Sequence, residues 1–392
     1  MNERISVVGD LVAAHAADAI DLRRRIHAEP ELGWTEHATT AAVAAHLRGA
    51  GLDPVVRPDG IGLVADVGNG PPLVAFRADL DALPIDEAPR HPYASRVPGV
   101  MHACGHDAHT ATAAGIAVVL HRLGRLAGAV RFVFQPAEEL IRGGGAVMAQ
   151  EGALGSAASI LAFHVDPAIP AGTIGLRTGA ITGASDRVRI TLGGPGGHTS
   201  RPHHTVDLVH VAARLVVDLP NHLRRITDPR NPIAIVFGSV HGGAAENVIP
   251  TTVELGGTVR LFDLDLWRAL PAEVERTVHD IAGPYGATAK VEYEQGAPPV
   301  VNDPDLVDAV RSAAEMVLGA EAVLDTEQSL GSEDFSWFLE HVPGALVRLG
   351  AGLPDRRVDL HSADFDIDED AIPTGMLLGA AALLEMLDRA GG

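Results

Sequence analysis

Two stretches of helical period open the chain, over residues 7–28 and 36–50, with the breaker segment Glu29-Pro30-Glu31-Leu32-Gly33 between them. The rhythm then turns to that of strands. Gly62–Val67 is followed by Leu73–Asp79, an almost wholly apolar run of the kind found in strands covered on both faces. This run stops abruptly at Asp79-Leu80-Asp81. The apolar run Ala113–Leu123 predicts a helix, with His106 and Asp107 at or just before its first turn. Two further strands are predicted, Ala129–Phe134 leading into Gln135-Pro136-Ala137-Glu138-Glu139, and Ser159–Phe163 ending in His164. Three strands are thus expected to deliver polar residues at their carboxyl ends, where open α/β sheets hold their ligands.

Between residues 185 and 293 the pattern differs. Arg187–Leu192 predicts a strand, Thr205–Leu219 a helix, Ile233–Val240 and Thr252–Leu261 two strands, Trp267–Ile281 a helix and Ala287–Glu294 a strand. The order β-α-β-β-α-β is the ferredoxin-like arrangement. Segments bearing Gly and Pro flank it, so it is expected to be a domain (185–293) inserted into a discontinuous α/β domain (1–184 and 294–392) with a mixed central sheet flanked by helices. The remainder predicts helix over Pro304–Leu318, strand over Ala345–Leu349 and helix over 369–388. No run approaches membrane-spanning length.

The densest chemistry lies in Met101-His102-Ala103-Cys104-Gly105-His106-Asp107-Ala108-His109-Thr110, which holds the only cysteine. Imidazole and thiolate are ligands for zinc and its neighbours, and a folding core has no use for so much polarity in so short a stretch. Cys104 as a thiolate nucleophile with His106 as base is the alternative that this stretch leaves open. Glu138-Glu139 is the second informative element. Adjacent carboxylates point different ways, so one can bind a metal while the other moves a proton. A solvated acid pair at a helix start is the plainer reading, and the preceding Phe-Val-Phe strand argues against it. Gly193-Gly194-Pro195-Gly196-Gly197-His198 lacks the spacing of a phosphate loop and predicts a tight bend exposing His198.

Charge and cysteine usage narrow the class. The chain of 392 residues carries a formal net charge of −21, which argues against nucleic acid and anionic membranes as partners. One cysteine cannot close an intrachain disulfide, and the N-terminus has no apolar signal core. A cytoplasmic protein is expected.

Seven segments together resemble one family: His102–Asp107, Gln135–Glu139, His164-Val165-Asp166-Pro167, Gly196–Ser200, Asn247-Val248-Ile249-Pro250, Gly331–Ser336 and Leu360-His361-Ser362. The set is similar to the dinuclear metallo-amidohydrolases of the aminoacylase and carboxypeptidase G superfamily. Within it, the resemblance is to the subgroup of hippurate hydrolases, N-acyl-amino-acid amidohydrolases and indole-acetyl-amino-acid hydrolases.

The resemblance implies two divalent metal ions per subunit, zinc, manganese, cobalt or nickel. Cys104 would bridge them, with His106 and His164 completing one site and Glu139 and His361 the other. Glu138 would be the general base and acid acting on a water between the metals, and Asp79 would orient a ligand histidine. The inserted domain would be a lid and dimerisation domain, with His198 reaching the other subunit's site in a homodimer to stabilise the oxyanion. Asn247 and Arg260 would bind substrate, an N-acyl amino acid or similar small conjugate.

Two departures from the wider superfamily, Arg77-Ala78-Asp79 in place of His-x-Asp and Cys104 in place of aspartate, are features of the subgroup. Ala363 stands where a proline often follows the His-Ser. A catalytically silent relative that binds ligand is the reading from another functional class.

Overall fold

The computed structural model describes residues 2–88, 90–141 and 143–390; Met1, Gly391 and Gly392, within the ranges expected for the discontinuous domain, lie outside them. The chain divides into two units. One comprises Met1–Gly179, Val301–Glu327 and Asp334–Gly392, and the other Ala180–Val300 and Gln328–Glu333. The second is wider than 185–293 at both ends and takes in a short segment far along the chain, which no local periodicity marks.

The first unit is built on an eight-stranded mixed sheet. Its spatial order is Val55–Val56, Leu63–Val67, Ala129–Gln135, Pro72–Asp79, Ser159–Pro170, Gly344–Gly352, Ile174–Leu176 and Val323–Asp325. The central strands Ala129–Gln135, Pro72–Asp79, Ser159–Pro170 and Gly344–Gly352 are parallel, while Leu63–Val67 joins antiparallel. Burial on both faces accounts for their apolar character. Asp79 is the last residue of its strand, opposite Gln135. His164 is not at a strand tip: its strand runs on to Pro170, because pairing with Gly344–Gly352 continues through Val165 and Asp166.

Helices Asn2–Ala28, His106–Leu123 and Ala371–Ala390 pack on one another. Ala371–Ala390 corrects the expectation about membrane-length runs, since it is long and apolar enough to span a bilayer. It is instead a core helix, 72% of its most apolar window being buried. A side chain at Gly115 would meet Met376 Sδ at 2.7 Å, and one at Gly375 would meet Thr112 Cγ2 at 2.7 Å, so small residues let these helices approach closely.

The second unit holds a four-stranded antiparallel sheet in the order Ile233–Gly242, Thr252–Leu261, Ala184–Gly193, Thr288–Glu294. Helices Leu208–Ile226 and Leu264–Ala282 pack together and on the sheet. Leu208–Ile226 continues past Pro220, where the sequence predicts a stop. Proline forfeits one backbone hydrogen bond, but Leu215, Leu219 and Leu223 form one buried stripe across it. Asp263 caps the other helix through the Leu266 amide (2.8 Å), starting it before Trp267.

Candidate metal centre

Gly105 makes the turn between Cys104 and the helix that starts at His106. Its φ is +80°, and a Cβ there would collide with Val165 Cγ2, so the position requires glycine. The turn brings Cys104, His106 and His164 together, all buried, with ligand atoms within 4.8 Å of one another. His164 Nε2 is 3.5 Å from Cys104 Sγ. His164 Nδ1 donates to Val165 O at 2.7 Å, and His106 Nδ1 donates to Asp81 O at 2.9 Å. A carbonyl can only accept, so Nδ1 carries a proton in both rings, and in the neutral form of each the lone pair is on Nε2. That is the tautomer a metal ligand needs.

The other half of the cluster comes from the segment after strand Ala129–Gln135 and from a C-terminal loop. Ala137, with φ +53°, and His361, with φ +60°, are two of the three described non-glycine residues at positive φ. Such strain persists only where surrounding contacts enforce it. At Ala137 they are the Glu36 carboxylate, accepting from Ala137 N at 2.7 Å, and Asp81, whose two oxygens accept from Glu138 N (2.9 Å) and Glu139 N (3.0 Å). At His361 the backbone N–H donates to Ala103 O at 2.7 Å, tying this loop to the cysteine turn. Cys104, Glu139 and His361 form a second group of ligand atoms within 4.8 Å. Glu138 Oε1 accepts from Asp334 N at 3.2 Å, and its Oε2 faces His106 Nε2 at 4.0 Å.

Two buried atoms in this cluster, His106 Nε2 and Glu139 Oε1, have no hydrogen-bond partner among the described residues. His361 Nε2 lies 3.2 Å from Glu139 Oε1 but outside hydrogen-bond geometry. Buried polar atoms without partners are costly. Thiolate, imidazole and carboxylate donors converging on them fit a divalent metal of the zinc type.

The electrostatics have clear causes. Burial pushes the Cys104 thiol up to about 12. Burial opposes charge on Asp79, but His106, His109 and Arg77 around it hold its carboxyl well below the usual range. Burial opposes charge on His106, but Asp79, Cys104 and the Asp81 hydrogen bond together raise it well above an ordinary imidazole. Burial, with His109 and Arg348 nearby, holds His164 well below. His361 is raised by its contact with Glu139.

Asp79 does not hydrogen-bond His106. Its Oδ2 is 3.8 Å from His106 Nε2, and its Oδ1 pairs with His109 Nδ1 at 2.7 Å. His109 Nε2 in turn accepts from Val165 N at 2.8 Å, so both of its nitrogens are satisfied within the fold. The carboxylate that orients His106 is Asp81. Sequence reasoning missed both Asp81 and His109, although Asp81 shares the strand-tip acid pair and His109 lies one helical turn from His106.

Residues 75–385 match the family model described as peptidase family M20/M25/M40. The chain belongs to this family. Over 90% of its length it is 37% identical to an N-acetyl-L-cysteine deacetylase of Bacillus subtilis, covering 84% of that protein. It is 43% identical over 95% of its length to a Rhodococcus jostii protein named as a glutamate–cysteine ligase, but spans only 47% of that longer protein. Among solved structures, the Bacillus subtilis YXEP protein, a dinuclear metal-binding peptidase of family M20, superposes with a TM-score of 0.84 at 33% identity, over 96% of this chain and 99% of that one.

In the second unit of this M20 member, His198 is exposed and its bend is not loose. Gly197–His198 pairs antiparallel with Val248–Ile249, and Thr199 N donates to Asn247 O at 3.2 Å. His198 and Asn247 are therefore neighbours across one short ladder. Arg260 is elsewhere on that unit, with Nη1 donating to Leu330 O at 2.9 Å.

Proposed function

We propose that this M20 member is a metal-dependent amidohydrolase that cleaves the amide bond of N-acyl amino acids or similar small conjugates. The observation that carries the reading is the convergence of Cys104, His106, His164, Glu139 and His361 around His106 Nε2 and Glu139 Oε1, two buried atoms without a hydrogen bond among the described residues. In this reading Cys104, His106 and His164 hold one divalent ion, Cys104, Glu139 and His361 a second, and Glu138 holds and moves the proton. When bound, such ions lower the pKa of water and polarise a carbonyl.

The Asp334 amide fixes one oxygen of Glu138, and the other faces the cluster. That oxygen takes the proton from the attacking water and returns it to the leaving amine. Asp79 acts one layer out, through His109 and the strand tip. The Bacillus subtilis deacetylase relative supports an N-acyl amino acid as the substrate class.

The thiol-nucleophile alternative fits less well, because it leaves Glu139, His164 and His361, which converge on Cys104 and His106, without a role. We assign the second unit the role of a ferredoxin-like lid and dimerisation domain. Its His198 would serve the other subunit's oxyanion in a homodimer, and Asn247 and Arg260 would contact substrate.

The test is a hydrolysis screen with zinc- or manganese-loaded protein on N-acetyl-, N-benzoyl- and indole-acetyl-amino acids. Turnover of at least one class is expected, and none on any of them contradicts the reading. Mixed dimers of His198→Ala and Glu138→Gln chains should recover activity that each variant alone lacks.

A further inference from the structure

Asp81 makes more contacts with the candidate centre than any role given above requires. Its side chain is fully buried and sits two residues beyond the strand tip at Asp79. Oδ1 accepts the Glu138 N–H at 2.9 Å, Oδ2 accepts the Glu139 N–H at 3.0 Å, and His106 Nδ1 faces both the Asp81 carbonyl (2.9 Å) and Oδ1 (3.2 Å). One residue therefore grips the backbone of two consecutive glutamates and the rear nitrogen of a histidine.

We propose that Asp81 is the positioning residue that sets the two halves of the centre against each other. It fixes the His106 tautomer and the directions in which Glu138 and Glu139 leave the main chain. The proposal rests on the amidohydrolase reading for what the centre does, but not for where Asp81 acts.

The chemistry demands a carboxylate. Two adjacent backbone N–H groups and an imidazole N–H all donate, so the partner must be acceptor on every side. Ionised aspartate is, with two oxygens free to take bidentate hydrogen bonds. Asparagine has the same shape but only one oxygen. Placing that oxygen where Oδ1 now serves Glu138 and His106 turns the amide NH₂ toward the Glu139 N–H, donor against donor.

The substitution therefore has a directional consequence. Asp81→Asn should release Glu139 while leaving His106 held by the Asp81 main-chain carbonyl. The ion site shared by Glu139 and His361 is then weakened more than the site of His106 and His164. Residues that orient ligands from outside the ligand set typically carry about 10–100-fold in metal affinity or activity.

The experiment is zinc binding by competition with a chromogenic chelator, on wild type and Asp81→Asn, alongside kcat and KM and the melting temperature of the metal-free proteins. The expected result is two bound ions in wild type. In the variant one of them should be about 10–100-fold weaker, with kcat reduced more than KM is changed and the metal-free melting temperature shifted by only a few degrees. Unchanged affinity for both ions and unchanged kcat overturn the proposal. So does equal weakening of both ions that merely follows a collapse in melting temperature.

If Asp81→Asn does not fold, the wild type decides. In zinc-loaded protein labelled with ¹⁵N-histidine, His106 must carry its proton on Nδ1, and a proton on Nε2 overturns the assignment. Wild type that binds two zinc ions, responds to Asp81→Asn as described and hydrolyses no amide would refute the amidohydrolase reading while supporting the role of Asp81.

Discussion

Arg77 Nη2 donates to Asp334 Oδ1 across 2.8 Å, inside the protein, joining residues 257 positions apart. The same guanidinium donates to Asp79 Oδ2 (2.7 Å) and Gln135 Oε1 (2.8 Å), while Asp334 also accepts from Gln135 Nε2 and from Gly145 N at 2.8 Å. Two carboxylates thus share one buried arginine. Arg77→Met should leave both without it, and breaking a buried pair from one side costs about 3–5 kcal/mol. Urea unfolding measures this, and a loss below about 1 kcal/mol would mean the network is dispensable.

Glu138→Gln should keep the metal and lose turnover. The Asp334 amide still finds an oxygen, but the group that takes the proton is gone. A decrease of about 10²–10⁴ in kcat is expected, with metal content unchanged by elemental analysis. Glu139→Gln should instead lose metal. The opposite pattern would reverse the roles of the pair.

Gly105→Ala should impair the cysteine turn. A left-handed conformation costs a non-glycine residue about 1–2 kcal/mol, and forcing a methyl into Val165 adds about 1–3. Thermal unfolding of the metal-free variant reports the sum, and zinc affinity should fall with it. Wild-type stability would show that the turn relaxes freely.

Much of this architecture is legible along the chain. The strand periods place Asp79 and Glu138-Glu139 at the carboxyl ends of strands, and Thr252–Leu261 and Pro304–Leu318 have the predicted bounds. The helix starts at His106, where the sequence reading sets its first turn, but its apolar signal begins only at Ala113, because that first turn is polar and satisfied by partners distant in sequence, such as Arg23 on Asp107 at 2.7 Å. For the same reason the partners of Asp81 and Asp334 could not be read from the segments that contain them. Hydrogen bonds that the Asp81 carboxylate accepts from amides more than fifty residues away have no period. His164 gave the strand-end signal only because the polar residue Asp166 and then Pro167 follow it, whereas sheet pairing carries the strand through them.

Glu36 makes stability depend on pH. Burial pushes its pKa from 4.5 up to about 7, despite the hydrogen bond it accepts from Ala137 N. The folded state then holds a proton that the unfolded chain releases at the lower pH. Its contribution is fully present below about pH 4.5 and is lost as pH rises through about 7, up to about 3 kcal/mol in all. Glu36→Gln should therefore match wild type near pH 4.5 and exceed it in stability at pH 8. Equal differences at the two pH values, by urea unfolding, would contradict this.

Metal dependence tests the account most directly. Wild-type protein dialysed against a strong chelator, then titrated with zinc or manganese, should lose amide hydrolysis completely. It should regain activity as two equivalents of metal per chain are restored, the number proposed for the cluster of Cys104, His106, His164, Glu139 and His361. Full activity in protein shown to be metal-free would contradict the account and return Cys104 to the role of nucleophile.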